Sequence, residues 1–161
     1  MIFSGRAWVF SGDLSADKIL SREFVDYSEE ELGTFVLLGR QPDLAKKISP
    51  RDLIVATGEM GRGGHPAKAA MALKRAGVGG MIAPAFFWPF FRICINMGLP
   101  PLTVWEAGEI HSGDRLRVDL TARVVKALSS GTRYPIRSLS DLYVEILSCG
   151  GIEGYIKAIR Q

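Results

Sequence analysis

A chain of 161 residues, 47% hydrophobic and 23% charged, is long enough to bury a sizeable core and too apolar to stay disordered. Its 20 basic and 17 acidic residues leave a net charge of +3 with no dense Lys/Arg block, which speaks against nucleic-acid binding. The longest apolar run, MIAPAFFWPFF from Met81, is cut by Pro84 and Pro89 and is too short to span a bilayer. Nothing at the N-terminus, MIFSGRAWVFSGD, reads as a signal peptide, so a cytoplasmic location is the default expectation. Cys94 and Cys149 lie far apart without a CxxC, and their apolar neighbours predict that both are buried.

Residues Ile2 to Phe10 mix aromatic and branched side chains and end in Ser11-Gly12-Asp13, which predicts a strand and a turn. Asp13 to Ser28 carries polar residues at short intervals and reads as an ordered loop. From Ser28, SEEELGTFVL has the start of a helix, with Ser28 as N-cap and Glu31 three residues on. Ser49-Pro50-Arg51-Asp52 predicts a turn, and LIVATG a short buried strand.

The stretch GEMGRGGHPAKAAMALKRAGV, Gly58 to Val78, then runs a glycine-rich turn into a helix. Pro66 suits the first helical position and Gly77 the end, and Ala69, Met71, Ala72 and Ala76 predict a face of small residues. VGGMIAPAF reads as a strand, FFRICINMG as a helix ended by Gly98, and LPPLTVW as a further strand. Beyond Trp105 the alternation around Gly113-Asp114 predicts antiparallel strands. A helix from Ser140, a break at Gly150-Gly151 and a terminal helix complete the chain. With no repeat, low-complexity tract or linker, residues 1–161 read as one mixed α/β domain.

In order, GRAWVFSGDLSADKI, ISPRDLIVATGEMGRGG, ALKRAGVGGMIA, FFRICINMGLPPL and GGIEGYI resemble the small subunit of 3-isopropylmalate dehydratase, over nearly the whole chain. The resemblance implies the swivelling β/β/α domain of the aconitase type. It implies a large-subunit partner that carries the iron–sulfur cluster, an active site formed between the chains, and dehydration and rehydration of a small anionic hydroxy di- or tricarboxylic acid. No cofactor is expected on this chain, which lacks a cysteine triad. Homo-oligomerisation of the isolated chain stays open.

The family's Gly-x-Gly-Ser-Ser-Arg-Glu appears here as Gly61-Arg62-Gly63-Gly64-His65-Pro66-Ala67. The general-base serine falls on Gly64, its neighbour on His65 and the substrate-binding arginine on Pro66. Gly64 has no side chain to move a proton, and Pro66 cannot grip a carboxylate. The family's Asp-x-x-Thr-Asp is Asp13-Leu14-Ser15-Ala16-Asp17, with the threonine lost, and the tyrosine–leucine–arginine–threonine loop of some members is not recognisable around Arg22-Glu23-Phe24. Trp88 and Ile93 replace an arginine and an asparagine, whereas Arg92 and Asn96 match.

Two readings follow. In one, the chain is a hydro-lyase subunit, active only with its large subunit, whose loop chemistry has been rebuilt. His65 is then the substitute base, because imidazole titrates near neutral pH. Substrate contacts fall to Arg62, Gly63, Gly64, His65, Asp17, Arg92 and Asn96. In the other, the chain is a non-catalytic paralogue that binds or regulates, His65 is an ordinary loop histidine and the polar residues are structural. The aromatics Phe86, Phe87, Trp88, Phe90 and Phe91 are core by default, or line an apolar pocket or a partner interface.

Overall fold

The computed structural model describes Met1–Gln161 and is organised by a seven-stranded sheet of order β6-β4-β2-β1-β7-β8-β9. Its strands are β1 (Ile2–Phe10), β2 (Leu53–Ala56), β4 (Gly80–Ala83), β6 (Pro101–Thr103), β7 (Arg115–Asp119), β8 (Val124–Ala127) and β9 (Arg133–Pro135). A short parallel pair, β3 (Glu59–Met60) and β5 (Ala85–Phe86), stands apart from it. The helices are α1 (Ala16–Ile19), α2 (Glu29–Leu32), α3 (Leu44–Lys47), α4 (Pro66–Arg75), α5 (Trp88–Met97), α6 (Asp141–Ser148) and α7 (Ile152–Ile159).

Strand β1 divides the sheet into two chemistries. On one side it pairs parallel with β2, and β4 and β6 continue in parallel. Every residue of β2, β4 and β6 is buried, as strands covered on both faces require. On the other side β7, β8 and β9 run antiparallel and alternate buried with exposed residues, so one face meets water. One core of 22 residues, including Ile54, Met81, Leu73 and Phe90, lies under α1 to α5. A second, of 21 residues, joins Leu53, Val55 and Ile82 to β7–β9 and α6.

Most elements fall where the sequence places them, with physical reasons for the differences. Asp13–Ser28 contains α1 and a 3-10 turn at Arg22–Phe24, not a loop alone. Helix α2 ends after one turn, and the Ser28 hydroxyl donates to Glu31 Oε1 at 2.9 Å instead of capping a backbone N–H. The buried face of α4 is Ala69, Ala70, Ala72 and Leu73, with Met71 only half-buried. VGGMIAPAF is broken at Pro84, which separates β4 from β5. Cys94 is buried in α5, but Cys149 caps the end of α6 and is exposed, so its apolar neighbours do not cover it.

Candidate functional site

Three connections leave the carboxyl ends of parallel strands at one edge of the sheet: Thr57–His65 after β2, Pro84–Phe87 after β4 and Val104–Glu106 after β6. Open α/β sheets bind ligands at this edge. The first connection is fastened to the segment after β1. Gly12 N–H donates to Thr57 Oγ1 at 2.7 Å and Glu59 N–H to Asp13 Oδ1 at 2.8 Å. Backbone bonds from Leu14 to Glu59, Gly61 to Leu14 and Ala16 to Arg62, all at 2.9 Å, extend the seam. The loop is thereby held rigid up to Arg62.

Glycine is demanded here by geometry at Gly61, whose φ of +102° is left-handed and whose missing Cβ admits the Phe90 ring. Helix α4 then starts at Pro66, with His65 as N-cap and no side-chain cap bond. Its first N–H groups therefore face the loop without a side-chain acceptor.

The structure brings together five of the seven residues singled out in the sequence. A Cβ at Gly63 would lie 3.2 Å from Asp17 Oδ2, and one at Gly64 would lie 3.2 Å from Arg22 Nη2. Arg22 Nε is 3.7 Å from Asp17 Oδ1, so the carboxylate orients a guanidinium over the glycines. Arg62 is held by Glu59 through Nε–Oε1 at 2.7 Å and Nη2–Oε2 at 3.1 Å, and its Cζ sits 4.6 Å above the Phe87 ring. Its hydrogen bond and charge contact with Glu59 raise the Arg62 pKa further above the already high guanidinium range, so it stays a cation. His65 is exposed beside Gly64.

The remaining two stand elsewhere. Arg92 is exposed on α5, one turn past Trp88, with no ion pair. Asn96 shares a groove with Lys74, Gly150 and Gly151, at the end of α4 opposite the loop, about 13 Å along that helix by its rise per residue. Arg22 was missed by sequence reasoning. Its approach to Gly64 comes from the α1 turn and the seam to the loop, which leave no motif in the chain. Among the aromatics, Phe90 and Phe91 are buried, Phe86 and Phe87 half-buried, and Trp88 is 53% exposed.

Known proteins match the chain end to end. It is 36% identical to 3-isopropylmalate dehydratase small subunit 1 of Archaeoglobus fulgidus, over 98% of both chains. The chain belongs to the 3-isopropylmalate dehydratase small-subunit family. The isopropylmalate/citramalate isomerase small subunit of Methanocaldococcus jannaschii is also 36% identical, over 97% of this chain and 94% of that one. The crystal structure of a 3-isopropylmalate dehydratase from M. jannaschii superposes with a TM-score of 0.91 at 30% identity, covering 99% and 96% of the two chains. No protein-family model matches. The fold expected from the sequence, that of the aconitase-type small subunit, is thus the observed one.

Membership carries the small-subunit character of the family, and with it a large-subunit partner. This chain's own residues do not form an iron–sulfur ligand set: its two cysteines lie in different helices' surroundings, and no three His, Cys, Asp or Glu side chains converge. No helix is long and apolar enough to cross a membrane.

Proposed function

We propose that the chain is the small subunit of a hydro-lyase that dehydrates and rehydrates a hydroxy di- or tricarboxylic acid with a cluster-bearing large subunit. The carrying observation is the end-to-end match to small subunits of this reaction class, with the Gly61–His65 turn at the carboxyl edge of the sheet. The cluster, on the large subunit, would supply a Lewis acid for the departing hydroxyl.

This chain's part is anion binding and proton movement. Arg22 and Arg62 flank the glycine turn as cations, and bare N–H groups of α4 add positive potential for a carboxylate. Dehydration removes a hydroxyl from one carbon and a proton from its neighbour. On the turn, His65 is the side chain able to take that proton, since Gly63 and Gly64 have none and Arg62 stays charged.

The test is anaerobic co-expression with the genomic large-subunit candidate, cluster reconstitution and absorbance detection of the unsaturated acid across a panel of malate derivatives. Turnover on one of them supports the hydro-lyase. A stable, cluster-loaded complex that turns over none counts against it. That result would favour the second reading, a non-catalytic binding or regulatory paralogue, which the absent side chain at Gly64 and the Pro66 ring motivate.

A further inference from the structure

The water-facing side of β7–β9 carries a charge pattern that only the strand register reveals. Leu116, Val118, Val125, Ala127 and Tyr134 point into the core, so the alternate residues Arg115, Arg117, Asp119, Lys126 and Arg133 share the opposite face. Along the chain these cations are scattered, but across the sheet they line up. Arg117 stands directly opposite Lys126, and Lys126 directly opposite Arg133, with the uncharged Ser4 of β1 completing the row. Two strand spacings separate Arg117 from Arg133, about 10 Å. Arg115 lies one alternation along β7, about 7 Å from Arg117.

Nothing in the chain neutralises this row. None of its cations enters an ion pair, whereas Arg6, Arg22, Arg62, Arg75 and Arg123 each have a carboxylate partner. Asp119 is the one acid on the face, and its Oδ1 accepts the Ala122 N–H at 3.0 Å. Like charges set directly opposite one another weaken a sheet, so the row costs stability in the free chain. It also holds the electrostatic asymmetry of the molecule. Four of the 20 basic and one of the 17 acidic residues lie here, a surplus that equals the net charge of +3 and leaves the rest of the chain balanced. The surface is concave as well, since Arg117, Asp119, Val124, Lys126 and Arg133 frame a cleft of about 200 Å³.

The row is remote from the glycine turn. Ser4 is six residues before Phe10, where β1 approaches the seam to that turn, about 20 Å along the strand. The occupant follows from the chemistry of the face. None of the outward side chains of β7–β9 is aromatic, so the face offers no platform for a nucleobase. A second copy would set cations against cations. We infer that the Arg117–Lys126–Arg133 row binds a linear inorganic oligophosphate. Its successive phosphoryl groups run along the row, the two guanidinium forks grip oxygens pairwise at either end, and Lys126 supplies a point charge between them. The inference is independent of the hydro-lyase reading and uses none of that site's residues.

The test follows backbone amide and arginine Nε–H resonances of the isotope-labelled full chain as sodium triphosphate is added at low ionic strength, with citrate as the carboxylate comparison. The variants are Lys126→Gln, Arg133→Gln on the edge strand, and Arg160→Gln, which removes the same charge elsewhere. The expected shifts cluster in β7, β8 and β9, with a Kd of about 0.1 mM or tighter and citrate weaker by roughly tenfold. Lys126→Gln and Arg133→Gln each weaken triphosphate by about tenfold, and Arg160→Gln leaves it unchanged. Without ligand, Lys126→Gln is expected to match or exceed the wild-type Tm, because it relieves the repulsion along the row. Shifts confined to the glycine turn, or spread over exposed cations throughout the chain, overturn the inference. So does equal loss of affinity in all three variants. Citrate binding as tightly as triphosphate overturns the phosphate assignment. Loss of the β7–β9 shifts once the large subunit is bound overturns it too, and makes the row a subunit contact.

Discussion

Arg22 Nη2 stands 3.2 Å from the point where a side chain at Gly64 would begin, so the guanidinium fills the space in front of the bare glycine. Arg22 is exposed and long, and its tip can move aside. Gly64 is not among the residues with positive φ. Gly64→Ser is therefore expected to fold with a stability change within about 0.5 kcal/mol. Gly61→Ala is the contrast, since it meets the Phe90 ring at a left-handed φ of +102° and should cost roughly 3 kcal/mol. Urea unfolding of the two variants checks the pair. Similar losses in both would show that the turn is not shaped as described.

Asp52 is 3% exposed and gathers three donors, the Trp8 indole at 3.0 Å and the backbone N–H groups of Arg6 at 3.0 Å and Ser49 at 2.9 Å. It ties the turn before β2 to β1. Asp52→Ala leaves all three unsatisfied and is expected to cost about 3 kcal/mol, with Asp52→Asn milder because one acceptor oxygen remains. Thermal unfolding of the two variants gives the comparison. Equal Tm values for wild type and Asp52→Ala would contradict it.

The sequence shows what is local. Pro66 and Gly77 punctuate α4, Gly98 ends α5 with φ +77°, and unbroken apolar runs mark β2 and β4, because each signal sits within a few residues. The turns in Asp13–Ser28 were invisible, since helices of three or four residues carry no periodicity. Cys149 departs from its expected burial for a related reason. Ile146 and Leu147 are buried on α6, but Cys149 lies one step past its last turn and faces out. Within the site, the glycine pattern exposed the loop, whereas the approach of Arg22 to Gly64 depends on tertiary contacts.

The two thiols should differ sharply. Burial pushes the Cys94 thiol well above its ordinary 9.0, so the reactive thiolate is suppressed, while Cys149 is open to solvent. A mass-resolved reaction with iodoacetamide under native conditions should label Cys149 alone. Because the folded pKa of Cys94 is the raised one, its contribution to stability is complete below about pH 9 and declines as pH rises beyond it, where the unfolded thiol ionises first. Tyr134, raised chiefly by burial, adds the same sign above pH 10. Denaturation midpoints should therefore fall between pH 9 and 11. Cys94→Ala, with its cavity offset measured at pH 7, should show less of that fall.

His65 decides between the rebuilt enzyme and the silent paralogue. It is exposed and caps α4 without a side-chain bond, so His65→Ala should leave Tm within about 2 °C. If the imidazole moves the substrate proton, kcat in the reconstituted complex should drop by roughly a hundredfold, the lower range for a lost general base, with KM little changed. Arg62→Ala should show the opposite split. KM should rise about tenfold as a carboxylate contact is lost, and kcat should fall less. Both variants are read against the same large subunit and cluster content. A His65→Ala complex as fast as wild type would remove the histidine from the chemistry and leave this turn an anion cradle whose proton acceptor belongs to the partner.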